Sequence, residues 1–320
     1  MKIIFFDWYQ SSTEWYRLIP LDYLSSPDFT ITRSTEHNIT YALLNAYDII
    51  ILSRPFSMAG ANLIRLAKDM GKKVIIDADD NLLAVNKESH VYDLYEREKP
   101  NTKLCLSMAD EVWVTTRGIK DTFSKYNKNV HIIPNALNDY IYKKKKPFKY
   151  SKKVLWRGGM SHIYDIYQPG VTEWIVQMVN SNPEFKFYWS GGQRFEYIEY
   201  RVGSNFYIHT GATTIQFFKW MRDLNASIFF YPLADNDFNR SKSNCSFIES
   251  VTAGSAYFGM SEFPEFQKPG IMPLKDMSEL MKMPDVLEKM QKESWGYIND
   301  CLLLSKVNET RLERLLNYTK

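Results

Sequence analysis

The chain has 320 residues, 45% hydrophobic and 24% charged, which excludes a disordered or fibrous protein and, at roughly 150 residues per domain, predicts two domains. Forty Lys plus Arg against thirty-seven Asp plus Glu leave a net charge of +3, too small to name nucleic acid or an anionic membrane as the partner. Cys105, Cys245 and Cys301 are odd in number, far apart and not in CxxC pairs, which excludes a disulfide framework and a zinc site.

The first apolar stretch, Ile3 to Phe6, ends at Asp7 and is far short of a secretory segment. No run approaches the roughly 20 apolar residues that span a bilayer, so a cytoplasmic location is expected. Short β-branched or aromatic runs follow at Lys2 to Asp7, Phe29 to Arg33, Tyr47 to Ser53, Lys73 to Asp77, Glu111 to Thr115 and Val130 to Ile133. Several are continuous rather than alternating, as suits strands buried on both faces. Between them lie amphipathic segments such as Met58 to Met70, with Gly71 as a C-cap, and Thr116 to Tyr126. The pattern predicts a parallel sheet wrapped by helices over residues 1–142.

Residues 143–150 carry Lys143, Lys144, Lys145 and Lys146 before Pro147 and read as a solvated basic linker. A second βα series fills 151–276, with strands at Lys153 to Trp156, Phe185 to Trp189, Phe206 to His209, Ala226 to Tyr231 and Ser255 to Gly259. Its helices are Val171 to Val179, Thr214 to Leu224 and Asn244 to Ala253. Residues 277–320 are expected to be helices that pack back on the first domain. The fold class is α/β, two Rossmann-like parallel-sheet domains facing a central cleft.

Chemistry concentrates between Phe238 and Gly254. Ser243 or Asn244 can cap the helix that begins there, whose N–H groups and positive dipole end suit a phosphate. Lys242 adds a charge beside it, and Glu249 can accept the two hydroxyls of a ribose. Asp79 and Asp80 follow a strand. They are read as contacts to a sugar or acceptor hydroxyl, with a helix or turn cap, a divalent cation site, and a general base that would imply inversion as alternatives. The loop after the first strand holds Gln10, Trp15 and Arg17 among aromatic neighbours, a place for an acceptor to stack.

The segment Phe238, Asn239, Lys242, Ser243, Glu249 and Gly254 resembles, in spacing, the donor-binding pattern of retaining glycosyltransferases of the GT-B fold, the family 4 type. Ser246 stands where the family has a second lysine, and Ser241 where the wider family has a first glutamate. Val154 to Asp165, with Arg157, Gly158, Gly159 and His162, resembles that family's first donor-domain strand and glycine loop. Lys73 to Leu83, Ala109 to Thr116 and Ile132 to Ala136 resemble its acceptor domain. The resemblance implies a hexosyl- or pentosyltransferase using a nucleotide diphosphate sugar, UDP- or GDP-linked, with no cofactor or metal required. It assigns Arg157, Gly158, Gly159, His162, Lys242, Ser243, Asn244 and Glu249 to the donor. The acceptor is a hydroxyl of a glycan, with hydroxymethylated pyrimidine in DNA as second choice. A noncatalytic sugar-nucleotide- or glycan-binding protein with the same fold is the alternative.

Overall fold

The structure, a computed structural model, describes residues 1–6, 14–24, 26–34, 39–159, 162–191, 196–209 and 212–318. In the first half the strands are β1 (Lys2–Phe6), β2 (Thr30–Ser34), β3 (Ile49–Ser53), β4 (Lys73–Ala78), β5 (Glu111–Val114) and β6 (Val130–Ile132). The helices beside them are α1 (Tyr41–Asn45), α2 (Met58–Asp69), α3 (Tyr92–Met108) and α4 (Arg117–Phe123). The second half has β7 (Lys153–Arg157), β8 (Lys186–Ser190), β9 (Phe206–His209), β10 (Ile228–Tyr231), β11 (Ala256–Gly259) and β12 (Ile271–Pro273). Its helices are α5 (Ile163–Ile166), α6 (Val171–Ser181), α7 (Glu196–Glu199), α8 (Thr214–Leu224), α9 (Asp237–Arg240), α10 (Cys245–Ala253), α11 (Met277–Leu280), α12 (Pro284–Cys301) and α13 (Leu304–Leu316).

Both sheets are parallel, in the orders β2-β1-β3-β4-β5-β6 and β12-β11-β10-β7-β8-β9. The continuous apolar runs have a direct cause. Ile3 and Phe5 face one core while Ile4 and Phe6 face another, so after the exposed Lys2 every position along β1 is apolar. The edge strand β2 keeps a polar, partly exposed sequence. Helix ends follow their capping residues: Ser57 and Thr116 accept from Gly60 and Ile119 N–H groups, and Gly71 and Gly254 take φ of +72° and +78°. The short strand β12 follows Gly270 and ends at Pro273, and no sequence signal announced it.

The tail divides between the two halves. Helix α12 buries Leu287, Met290 and Ile298 in the second core. Helix α13 buries Leu304, Val307 and Leu315 in the first, and its Arg314 pairs with the buried Glu111 at 2.9 and 3.0 Å. Helix α13 thus packs on the first sheet's core, and α12 packs beside β11 in the second. The chain crosses between domains twice, and the crossings are bonded together. Leu137 N–H donates to Leu302 O at 2.9 Å, and Leu304 N–H donates to Leu137 O at 2.8 Å.

The linker lysines differ from a uniformly solvated run. Lys143 and Lys144 are exposed, but Lys146 turns its ammonium to the carbonyl of Arg222 near the end of α8, and burial lowers its pKa to about 8. No helix of the described residues is long and apolar enough to cross a membrane.

Candidate active site

In the second sheet the chain winds β7-β8-β9 in one direction and then returns to place β10 on the other side of β7. The carboxyl ends of β7 and β10 therefore border a topological switch point, where open α/β sheets hold ligands. Arg157 ends β7 and Tyr231 ends β10. Above this crevice sits the amino end of α10. Its N-cap is Asn244, whose side chain makes no capping hydrogen bond. The first domain supplies the opposite wall from the residues after β4 and from Tyr16, which belongs to a π-helical turn at Glu14–Leu18.

Two cavities open here. One, of about 300 Å³, is lined by Arg157, Gly158, Ser190, His209, Phe217 and Glu249, all from the second domain, and by Tyr16 from the first. Its neighbour, about 140 Å³, lies between the domains and gathers Asp79, Asp80, Asn135, Tyr231, Lys242 and Ser243. Tyr16 and Arg157 line both. A larger cavity of about 960 Å³ lies at the ends of β10, β11 and β12, beside Trp174, Leu233, Met260 and Leu274. Size alone does not mark the chemistry: the two smaller cavities hold the converging charged groups.

Glu249 is 1% exposed and is the centre of the arrangement. Arg157 Nε donates to Glu249 Oε2 at 2.6 Å, Arg157 Nη2 donates to Oε1, and Tyr16 Oη donates to Oε1 at 3.0 Å. Burial alone would lower the Arg157 pKa, but the Glu249 carboxylate outweighs it and holds the guanidinium above its usual range. Burial, then the charge of Glu249, pushes the Tyr16 hydroxyl well up, so it remains a donor.

Lys242 Nζ stands 3.8 Å from Asp80 Oδ1 and 4.7 Å from the centre of the Phe238 ring. Burial raises the Asp80 pKa, and Lys242 opposes that shift. Asp79 lies 3.4 Å from Arg54 Nε. Ser243 Oγ accepts from Asn135 Nδ2 at 3.0 Å, which ties the α10 approach to the first domain. Thr116 Oγ1 donates to Ser241 O at 2.7 Å, and a Cβ on Gly118 would sit 3.2 Å from Ser241 Cα. Cys245 also reaches Asn135, but burial, then Glu249, pushes its thiol up to about 12, which keeps it protonated.

Of the residues read from the sequence, the structure thus brings Asp79, Asp80, Arg157, Gly158, Gly159, Lys242, Ser243 and Glu249 to the two cavities. Asn244 is buried at the start of α10. His162 is elsewhere. It is buried behind the wall, Nδ1 at 2.7 Å from Asp165 Oδ2 and Nε2 at 2.7 Å from Tyr231 Oη. Nδ1–H donates to the carboxylate, so Nε2 accepts from the tyrosine. Burial and the charge of Lys242 lower the His162 pKa to about 4.

The acceptor expectations fare differently. Arg17 is 1% exposed and gives Nε and Nη2 to Asp77 at 2.7 Å each, and Nη1 to Ile133 O at 2.6 Å. A guanidinium committed in this way inside the first domain is not presented to an acceptor. Trp15 is buried and stacks on Phe218 of α8 at 4.8 Å, joining the domains as packing. Gln10 lies outside the described residues. Sequence reading missed Tyr16 and Tyr231 as site residues, and Asp165 as the partner that holds His162 behind them. Tyr231 and Asp165 ended a strand and a glycine loop, and Tyr16 stood in the aromatic cluster, but nothing local named their partners.

No protein-family model and no curated protein matches the sequence. Among solved structures, HepE from Anabaena, in complex with UDP and glucose, is 12% identical, with 99% of this chain and 100% of that one covered and a TM-score of 0.70. The chain has the GT-B fold. TarM is 15% identical, with 85% of this chain covered and a TM-score of 0.61, but the match takes in only 54% of TarM, so this GT-B chain spans about half its length. A UDP-N-acetylglucosamine 2-epimerase assignment from Listeria monocytogenes, 11% identical with 92% of each chain covered and a TM-score of 0.57, has a similar structure. At these identities the likeness is one of GT-B architecture.

Proposed function

We propose that this protein is a glycosyltransferase that moves a sugar from a nucleotide diphosphate sugar to a hydroxyl acceptor. The observation that carries the reading is the convergence of Arg157, Glu249 and the uncapped amino end of α10 at the switch point of the second sheet. The nucleoside fits the 300 Å³ cavity, with its ribose hydroxyls toward Glu249. The diphosphate then passes Arg157 toward Lys242 and the N–H groups of the first turn of α10, with the sugar in the interdomain cavity. Negative charge builds on the diphosphate as the glycosidic bond breaks, and these donors stabilise it where water is excluded. HepE, solved with UDP and with UDP-glucose, supports a UDP-linked donor.

Asp79 and Asp80 face the sugar side and orient the acceptor hydroxyl, and the burial that raises Asp80 makes it the better proton acceptor. Transfer with retention follows the family 4 resemblance, whereas a base at Asp80 would give inversion, and NMR of the anomeric proton in the first-formed product decides between the two. A glycan is favoured as acceptor, because Lys146 is drawn inward and the linker does not form a continuous basic face.

A thermal-shift panel of UDP-, GDP-, ADP- and CMP-sugars tests the donor, followed by donor hydrolysis and transfer with Arg157→Ala and Glu249→Ala. A UDP-sugar shift, with loss of turnover in both variants, is expected. Binding without any turnover in the native protein would instead favour a noncatalytic sugar-nucleotide-binding role.

A further inference from the structure

The Glu249 carboxylate has a limited number of places to accept a hydrogen bond. Its two oxygens offer about four lone-pair sites. Three are taken, two by Arg157 and one by Tyr16. A ribose diol donates twice and needs two sites, so one existing bond must yield before both hydroxyls can be seated. The Arg157 pair is bidentate and charge-assisted, roughly twice as strong per bond as a neutral one. The Tyr16 bond is single, from a neutral hydroxyl, and it comes from the other domain, 233 residues away in the chain.

From this the geometry points to Tyr16 as a donor-responsive positioning residue: its hydroxyl holds the Glu249 site that a ribose hydroxyl takes, so seating the nucleotide releases a contact between the domains. The inference rests on the nucleotide-donor reading above. Tyr16 lines both cavities, so its displaced hydroxyl stays at the boundary between nucleoside and sugar. Its neighbours fix the backbone on either side. Trp15 is stacked on Phe218 in the second domain, and Arg17 is paired with Asp77 in the first. Release of Tyr16 therefore removes one of the polar ties across the cleft while those anchors stay in place.

The test is a two-by-two titration by calorimetry, with native protein and Tyr16→Phe, UDP and 2′,3′-dideoxy-UDP. Phenylalanine keeps the ring and its packing. The variant is expected to bind UDP about 5- to 10-fold more tightly than the native protein, because no hydroxyl has to be displaced, and to bind the dideoxy analogue within about 2-fold of native, in line with a lost single hydrogen bond. Equal effects on both ligands, no effect, or weaker UDP binding would each overturn the inference while UDP binding itself stands. If UDP binds neither protein, the donor reading falls and takes this one with it.

Discussion

Lys242 and Asp80 face each other across the domain boundary, Nζ to Oδ1 3.8 Å, each on the wall of the same small cavity. Their substitutions should act in opposite directions on donor binding. Lys242→Ala removes a cation from the diphosphate path and should weaken UDP-sugar binding about 10- to 100-fold, the range for a hydrogen bond to a charged group. Asp80→Asn removes a competing carboxylate, so donor binding should hold or tighten a few-fold. Transfer should nevertheless fall about 100-fold or more if Asp80 receives the acceptor proton. Calorimetry beside initial rates separates the two, and a joint loss of binding in both variants would count against this placement of the donor.

Arg17 should behave as a structural residue. Arg17→Ala leaves Asp77 buried and without its bidentate partner, a change that costs about 3–5 kcal/mol. Denaturant unfolding should show that loss, while the acceptor KM of the protein that remains folded stays near native. A selective rise in acceptor KM with native stability would restore Arg17 to the acceptor.

Acid should expose His162. Its pKa is about 4 in the folded protein against an ordinary value near 6.5, so below 6.5 the unfolded chain takes up the proton first. Its contribution is complete above about pH 6.5 and is lost as pH falls toward 4, with a slope of at most about 1.4 kcal/mol per pH unit. His131, also lowered, first by burial, slopes the same way, so the measurement is the difference between proteins. His162→Gln should be less stable at pH 8 and lose less between pH 6.5 and 4.5. Parallel pH profiles would show that this histidine is not held neutral.

Gly191 marks how closely two strand ends approach beneath the 300 Å³ cavity. A Cβ there would fall 2.2 Å from the carbonyl oxygen of Gly158, a backbone atom that cannot swing aside. Gly191→Ala should cost about 1–3 kcal/mol and weaken nucleotide binding as the loop shifts. An unchanged melting temperature would mean that this wall moves freely.

The sheets were legible because burial on both faces leaves a continuous apolar record, as in Ile49 to Leu52 and Ile228 to Tyr231. The α10 segment was legible for a different reason: an N-cap, a terminal glycine and a spaced set of polar residues lie within one stretch of chain. Pairs such as Tyr16 with Glu249, or Arg17 with Asp77, leave no local trace, since each side chain's chemistry is ambiguous until its partner is known. The same ambiguity misplaced His162, which sits in a glycine loop but points behind it. Strand β12 is three residues long and ends in proline, below what periodicity resolves.

The backbone bonds between Leu137 and Leu302 to Leu304 constrain how these halves can separate. A single connecting segment would let one domain swivel in any direction. Two parallel segments joined side by side act as a pair of pins, and they favour one axis of rotation that passes through them. Opening for substrate should then resemble a door rather than a ball joint, with the displacement smallest at Leu137 and largest on the far rim of the cleft. An insertion or deletion of one residue on one segment alone would tilt that axis and misalign Tyr16 with Glu249 from a distance.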